Sequence, residues 1–224
     1  METTLYIIRH GSTPANTSGL YHGVTDTPLL PLGEEQALKL RERFHHVHLD
    51  AVYASPLQRA RRTATPMAED HGLPVIVVPE LIEMNGGAIE DVSMEENARR
   101  YPELVENMKH HLPLVACPNG ETMREVFDRM TATVDRLARE NLGRTIAIVS
   151  HGAVLQSIWC HLQGRPFEAL ERHMVHNTAV SKAVYHSDGG YTPEYIGDIS
   201  HLPDELQFQP FEADGQRKLT LEKQ

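Results

Sequence analysis

Apolar positions along the chain fall into short runs separated by helical stripes. Leu5-Tyr6-Ile7-Ile8 is a run of four with no polar interruption, the pattern of a strand buried on both faces. The stretch from Gly11 to Leu32 is rich in Gly, Thr, Pro and Asn and predicts a loop, one long enough to suggest a function. From Gly33, the apolar positions Ala37, Leu38, Leu40 and Phe44 take up helical spacing, with Glu34 and Glu35 in the first turn where they suit the helix dipole. Asp50–Ala54 reads as a second strand. Ser55-Pro56 then has the form of an N-cap followed by proline at the first helical position, which predicts a helix carrying Arg59 near its start. Val75–Val78 is a third apolar run, leading through Glu80-Leu81-Ile82-Glu83 to a turn at Asn85-Gly86-Gly87.

Charged, helix-favouring sequence bounded by prolines fills Asp91 to Cys117 and predicts a helical excursion outside the sheet. Met123, Val126, Phe127, Met130, Val134 and Leu137 form the stripe of a long core-packed helix. Thr145–Val149 and Ala153–Leu162 make a strand and helix joined by His151-Gly152. Two late strands, Ala179–Tyr185 and Tyr191–Ile196, are spaced as a hairpin around Asp188-Gly189-Gly190. Strands alternating with helices predict an α/β fold: a three-layer sandwich, its sheet mostly parallel, with helices on both faces and the 91–117 excursion over the site. The domain is expected to span 1–202, with 203–224 as a loosely held tail because periodicity fades there.

Composition narrows the function. With 31 acidic and 21 basic side chains the net charge of the 224 residues is −10, which argues against nucleic acid or a membrane surface as partner. Two cysteines, Cys117 and Cys160, lack the spacing of a zinc or redox site, and a reducing cytoplasm is the expected location. The 14 histidines include His45-His46-Val47-His48 and His110-His111, which read as solvated helix ends.

The chemistry gathers where strands end. Arg9 and His10 follow the first strand, Arg59 the second, Glu83 the third and His151 a later one. In a parallel sheet such ends share one edge, where open α/β sheets bind ligands. Two guanidinium forks suit phosphoryl oxygens. A neutral imidazole can attack phosphorus, a carboxyl can protonate the departing oxygen, and a second imidazole can stabilise the equatorial oxygens.

These residues sit in ordered blocks. Leu5–Asn16, Gly23–Leu29 with Gly33–Ala37, Ser55–Ala64, Leu81–Met84, Pro118–Thr122 and Val149–Gly152 together resemble the histidine phosphatase superfamily, also called phosphoglycerate mutase-like, over roughly residues 4 to 186. The resemblance implies that His10 is the phosphorylated nucleophile, that Arg9, Arg59 and His151 bind the phosphoryl group, and that Glu83 donates and accepts the proton. It implies further that Asn16 contacts phosphate oxygens, that Gly11 and Gly152 allow close backbone approach, and that His22 and Gly23 hold the leaving portion. Two departures stand out. Ser12 occupies a position where many members carry Glu, and Asn85–Asp91 lacks the aromatic followed by Glu-Gly common in phosphatase members, which keeps Glu90, and more weakly Glu80, as reserve acids.

The resulting expectation is a metal-independent, cofactor-free hydrolase of small phosphomonoesters, similar to the alpha-ribazole phosphatase branch. A cofactor-dependent phosphoglycerate mutase and a non-catalytic phospho-ligand module are the alternatives. The homodimer is left open. Met94, Tyr101, Leu104, Val105 and Met108 of the excursion are placed either against an organic leaving group or in the core.

Overall fold

A computed structural model describes residues 1–173 and 175–207. Six strands form one sheet: β1 (Glu2–Arg9), β2 (Ala51–Ala54), β3 (Val75–Val77), β4 (Thr145–Ser150), β5 (Val180–His186) and β6 (Tyr191–Asp198), ordered β3-β2-β4-β1-β5-β6. The pairs β3·β2, β2·β4 and β4·β1 are parallel, whereas β5 and β6 run antiparallel as a hairpin. The carboxyl ends of the first four strands therefore open on one edge, with β1 and β4 side by side at its centre.

Strand alternation sends the apolar side chains into two cores. Leu5, Ile7, Ile146 and Ile148 face one side, where they meet α6 (Met123–Glu140) and α7 (Gly152–Leu162). Ile8, Val52, Ala54, Ala147 and Val149 face the other, beneath α2 (Pro31–Phe44) and α3 (Gln58–Asp70). This is the expected three-layer α/β sandwich. The long stripe of α6 is buried as the periodicity requires, and Thr122 caps it through a reciprocal capping box with Glu125.

Three local expectations change. The 11–32 segment is not loop throughout: Thr13 and Asn16 form a capping box that starts a short helix, α1 (Pro14–Ser18), and α2 begins at Pro31. Ser55 does not cap a helix starting at Pro56, because α3 begins at Gln58 with Leu57 at the cap position. The Ser55 hydroxyl is instead held against His151, as described below. The excursion contains α4 (Met94–Arg100), capped by Ser93, and α5 (Pro102–His110). Of the tail expected from 203, residues 208–224 lie outside the described residues. Within the tail Pro203, Asp204 and Glu205 are exposed, but Leu206 is buried and its carbonyl accepts a 2.8 Å hydrogen bond from Gln36 Nε2.

Candidate active site

His10 leaves β1 with its backbone still in register, its N–H donating to the Ser150 carbonyl. Its own carbonyl accepts from Asn177 Nδ2 at 3.0 Å and from the Thr178 N–H at 3.3 Å. The ring lies 2.7 Å through Nδ1 from the Gly11 carbonyl. A carbonyl can only accept, so Nδ1 carries the hydrogen and Nε2 keeps its lone pair. Burial, then the charges of Arg59 and Arg9, hold this imidazole well below its ordinary pKa and hence neutral.

His151, after β4, stacks obliquely with its ring centroid 5.1 Å from that of His10. Its Nδ1 accepts from Arg59 Nε at 3.2 Å, which makes Nε2 the protonated nitrogen, donating to Ser55 Oγ at 2.6 Å. Burial and the neighbouring Arg59, His10 and Arg9 keep it neutral as well. In the free site His151 is thus a neutral link between Arg59 and Ser55.

Arg59 projects from the first turn of α3, where Nη1 donates to Thr25 O at 2.8 Å and Nη2 to Gly23 O at 2.7 Å. Arg9 donates through Nη1 to Val175 O, while its Nε is buried without a partner. Burial lowers the Arg9 pKa to about 10, against the attraction of Glu83, and it stays cationic. Neither guanidinium forms a carboxylate ion pair among the described residues. A buried and a partly buried cation held only by carbonyls and an imidazole carry a desolvation cost. An anion arriving between them would offset it.

Glu83 follows the short turn Pro79–Leu81 and faces the start of α7. Its Oε2 accepts from Ala153 N–H at 3.2 Å, and its Oε1 from Val154 and Met84 N–H at 3.2 and 2.9 Å. The loop beyond it is fastened from α6. Arg129 donates to the Glu80 and Ile82 carbonyls and to Glu121, whose carboxylate accepts from Asn85 N–H at 2.8 Å.

Neither reserve acid is placed to act on the cavity. Glu90 accepts from the N–H groups of Val24, Thr25 and Gly86 and from the Thr25 hydroxyl, so both its oxygens tie the 22–25 loop to the 85–91 loop. Glu80 sits at the surface beside Arg136. Tyr21 lays its ring edge on Gly86, where any Cβ would collide with it.

Most of these groups line a cavity of about 620 Å³ open to solvent, whereas His151 is fully buried and lies behind the lining rather than in it. Arg9, His10, Asn16, His22, Gly23, Arg59, Glu83 and Gly152 line the cavity. Asn16 spends its Oδ1 on Thr13 and on Asn177, leaving its amide nitrogen to offer a ligand. His22 has no hydrogen bond to either ring nitrogen, and its Nδ1 lies 3.6 Å from Asp91 Oδ1. Gly11 departs from expectation. It lies off the cavity, its N–H bound to Thr63 Oγ1, and its lack of a side chain admits the backbone of Gly33. Of the excursion residues, Met94 and Met108 reach the cavity, Leu104 and Val105 belong to the core, and Tyr101 packs against that core.

Sequence reasoning passed over Asn177, Thr178 and the Arg129–Glu121 pair. Thr178 adopts φ 55°, an uncommon conformation for a β-branched residue, and thereby turns its N–H toward the carbonyls of Arg9 and His10. The signal available was the polar triplet His176-Asn177-Thr178 directly before a strand. No group of three or more His, Cys, Asp or Glu side chains at metal-binding spacing occurs among the described residues.

Comparison with known proteins bears on the whole arrangement. The sequence profile of the histidine phosphatase superfamily, branch 1, matches residues 5–196. Adenosylcobalamin/alpha-ribazole phosphatase of Escherichia coli is 38% identical over 171 residues, 74% of this chain and 82% of that protein. A protein of Escherichia fergusonii named "Probable phosphoglycerate mutase GpmB" is 32% identical over 217 residues, 91% of this chain and 98% of its own. The solved structure of Bacillus stearothermophilus YhfR superposes with a TM-score of 0.84 at 28% identity, covering 89% of this chain and 98% of that one.

Proposed function

The chain belongs to the histidine phosphatase superfamily, and from that premise we propose that it hydrolyses small phosphomonoesters through a phosphohistidine on His10. The observation that carries this reading is the free lone pair of a neutral His10 Nε2 in a cavity lined by two guanidinium groups that have no carboxylate ion pair among the described residues.

In the first step Nε2 attacks phosphorus and the bond to the leaving oxygen breaks. Glu83, having taken up a proton in the substrate complex, passes it to that oxygen. The positive charge gained by the imidazole is spread toward the Gly11 carbonyl through Nδ1–H. Arg9, Arg59 and the Asn16 amide hold the equatorial oxygens. His151 supports them from behind Arg59; once a dianion offsets the repulsion that keeps it neutral, it can take up a proton from solvent at Nδ1, releasing its hydrogen bond from Arg59 Nε. In the second step Glu83 takes a proton from water, the water oxygen attacks phosphorus, and the N–P bond breaks to return the electron pair to Nε2. Inorganic phosphate and the free alcohol are the products. The arginines provide the charge neutralisation, so the scheme calls on no metal or organic cofactor.

Residues 91–117 act in this reading as a lid on a domain spanning 1–202. The mutase reading draws on the similarity to the GpmB-named protein. It differs only in the acceptor of the phosphoryl group. A cavity open to solvent favours water. The test is a comparison of rates on 3-phosphoglycerate: phosphate release should exceed bisphosphate-primed interconversion of the phosphoglycerates. Faster interconversion makes the chain a mutase. Neither reaction on any phosphomonoester, with phosphate binding intact, makes it a binding module.

A further inference from the structure

The inner end of the cavity is cationic, but the wall beyond it changes character. Tyr21, Met94, Met108, Leu112, Val115 and Met123 line the cavity too, interspersed with polar side chains such as His22 and Gln156. Met94 and Met108 come from the two short helices of the 91–117 segment and are only partly buried, whereas the Leu104 and Val105 of α5 turn into the core. Partly exposed methionines facing an open cavity are unbranched, polarisable surfaces that adapt to an apolar guest.

The charges of these helices do not offset that wall. Arg99 and Arg100 pair with Glu95 and Glu96 along the helix surface. Arg172 stands exposed at the mouth, its Nη1 3.4 Å from the Met108 carbonyl. His22, Gln156 and Arg172 line the same cavity and could meet the polar atoms of a leaving group, but a short leaving group would leave the thioether and methyl surface uncovered. A cavity near 620 Å³ also matches drug-sized ligands better than a three-carbon acid.

We infer that the leaving group of the substrate is a bulky apolar alcohol or phenol seated on Met94 and Met108, and that these two methionines determine specificity. The inference rests on the phosphomonoesterase reading of the same site, and its test separates the two. Ethylphosphonate and hexylphosphonate cannot be hydrolysed, so their binding, measured by calorimetry, reports on the wall alone. Hexylphosphonate should bind at least about tenfold more tightly, a conservative expectation for four added methylenes in an apolar site. M94N and M108N should each reduce that ratio, and the pair should bring it near one, while M108L retains it. Thermal melting of each variant shows that it is folded. Equal affinity for the two phosphonates, or a ratio indifferent to the asparagine variants, overturns the inference. A preserved ratio with no turnover of ethyl or hexyl phosphate leaves the apolar site standing and overturns the hydrolytic reading instead.

Discussion

His10 is aimed by contacts to its backbone as much as to its ring. Asn177 and Thr178 grip its carbonyl, and the Gly11 carbonyl fixes its tautomer. Replacing Asn177 with alanine should cost about 1 kcal/mol of stability, the worth of one buried hydrogen bond. Displacement of a nucleophile by an ångström costs on the order of a hundredfold in rate, so kcat of N177A should fall by about ten- to a hundredfold with KM little changed. Steady-state kinetics and a urea melt on the same preparation check both figures. Protonation offers a second test at this scale. Burial and Arg59 depress the pKa values of His10 and His151, so in the free protein neither ring should titrate near pH 6.5 by NMR. Saturation with phosphate, which supplies negative charge, should move the His151 titration upward. Two ordinary titrations near 6.5 in the free protein would contradict the neutral pair.

Helix α6 positions the acid without touching the cavity through its charged face. Arg129 spans Glu121 and the carbonyls of Glu80 and Ile82, and so sets the loop that ends in Glu83. R129M should destabilise the protein by about 2 kcal/mol, in the range for hydrogen bonds to charged groups, and lower kcat at least tenfold with little change in phosphate affinity. Unchanged kcat would mean that Glu83 is held by the start of α7 alone. Elements of this kind mark the limit of what was legible in the sequence. The stripe of α6 and the apolar runs of β1 and β4 follow from periodicity, because hydrophobic burial imposes it. The start of α3 does not, because Ser55 Oγ accepts from Leu57 N–H, ahead of the helix, and from His151, a tertiary demand that local capping rules cannot see. The same holds for Tyr21, whose ring reaches Gly86 across a long sequence separation.

At the scale of the whole molecule, strand order brings Arg9, His10, Arg59, Glu83 and His151 to one sheet edge, as the motif blocks implied. Sequence alone did not reveal that Gly11 serves a backbone crossing or that Glu90 is a structural tie, since both depend on contacts between loops. The buried histidines also set the acid stability. A histidine whose folded pKa is depressed contributes stability that is full above its unfolded pKa near 6.5 and is lost as pH falls through the folded value. His10 and His151 lie well below that point, and His201, desolvated beside Arg43, is lowered to about 4. Unfolding free energy should therefore decline below pH 6.5, by up to about 1.4 kcal/mol per pH unit for each fully buried ring. H151N should lessen that slope in urea melts between pH 6.5 and 5.

The covalent intermediate is the centre of this account. Rapid mixing with a phosphorus-labelled phosphomonoester, followed by quenching under conditions that preserve phosphoramidates and by peptide mass spectrometry, reads it directly. A transient acid-labile phosphoryl group should appear on His10, form and decay at rates compatible with kcat, and be absent from H10A. Turnover without that group, or undiminished turnover by H10A, would contradict the phosphohistidine mechanism.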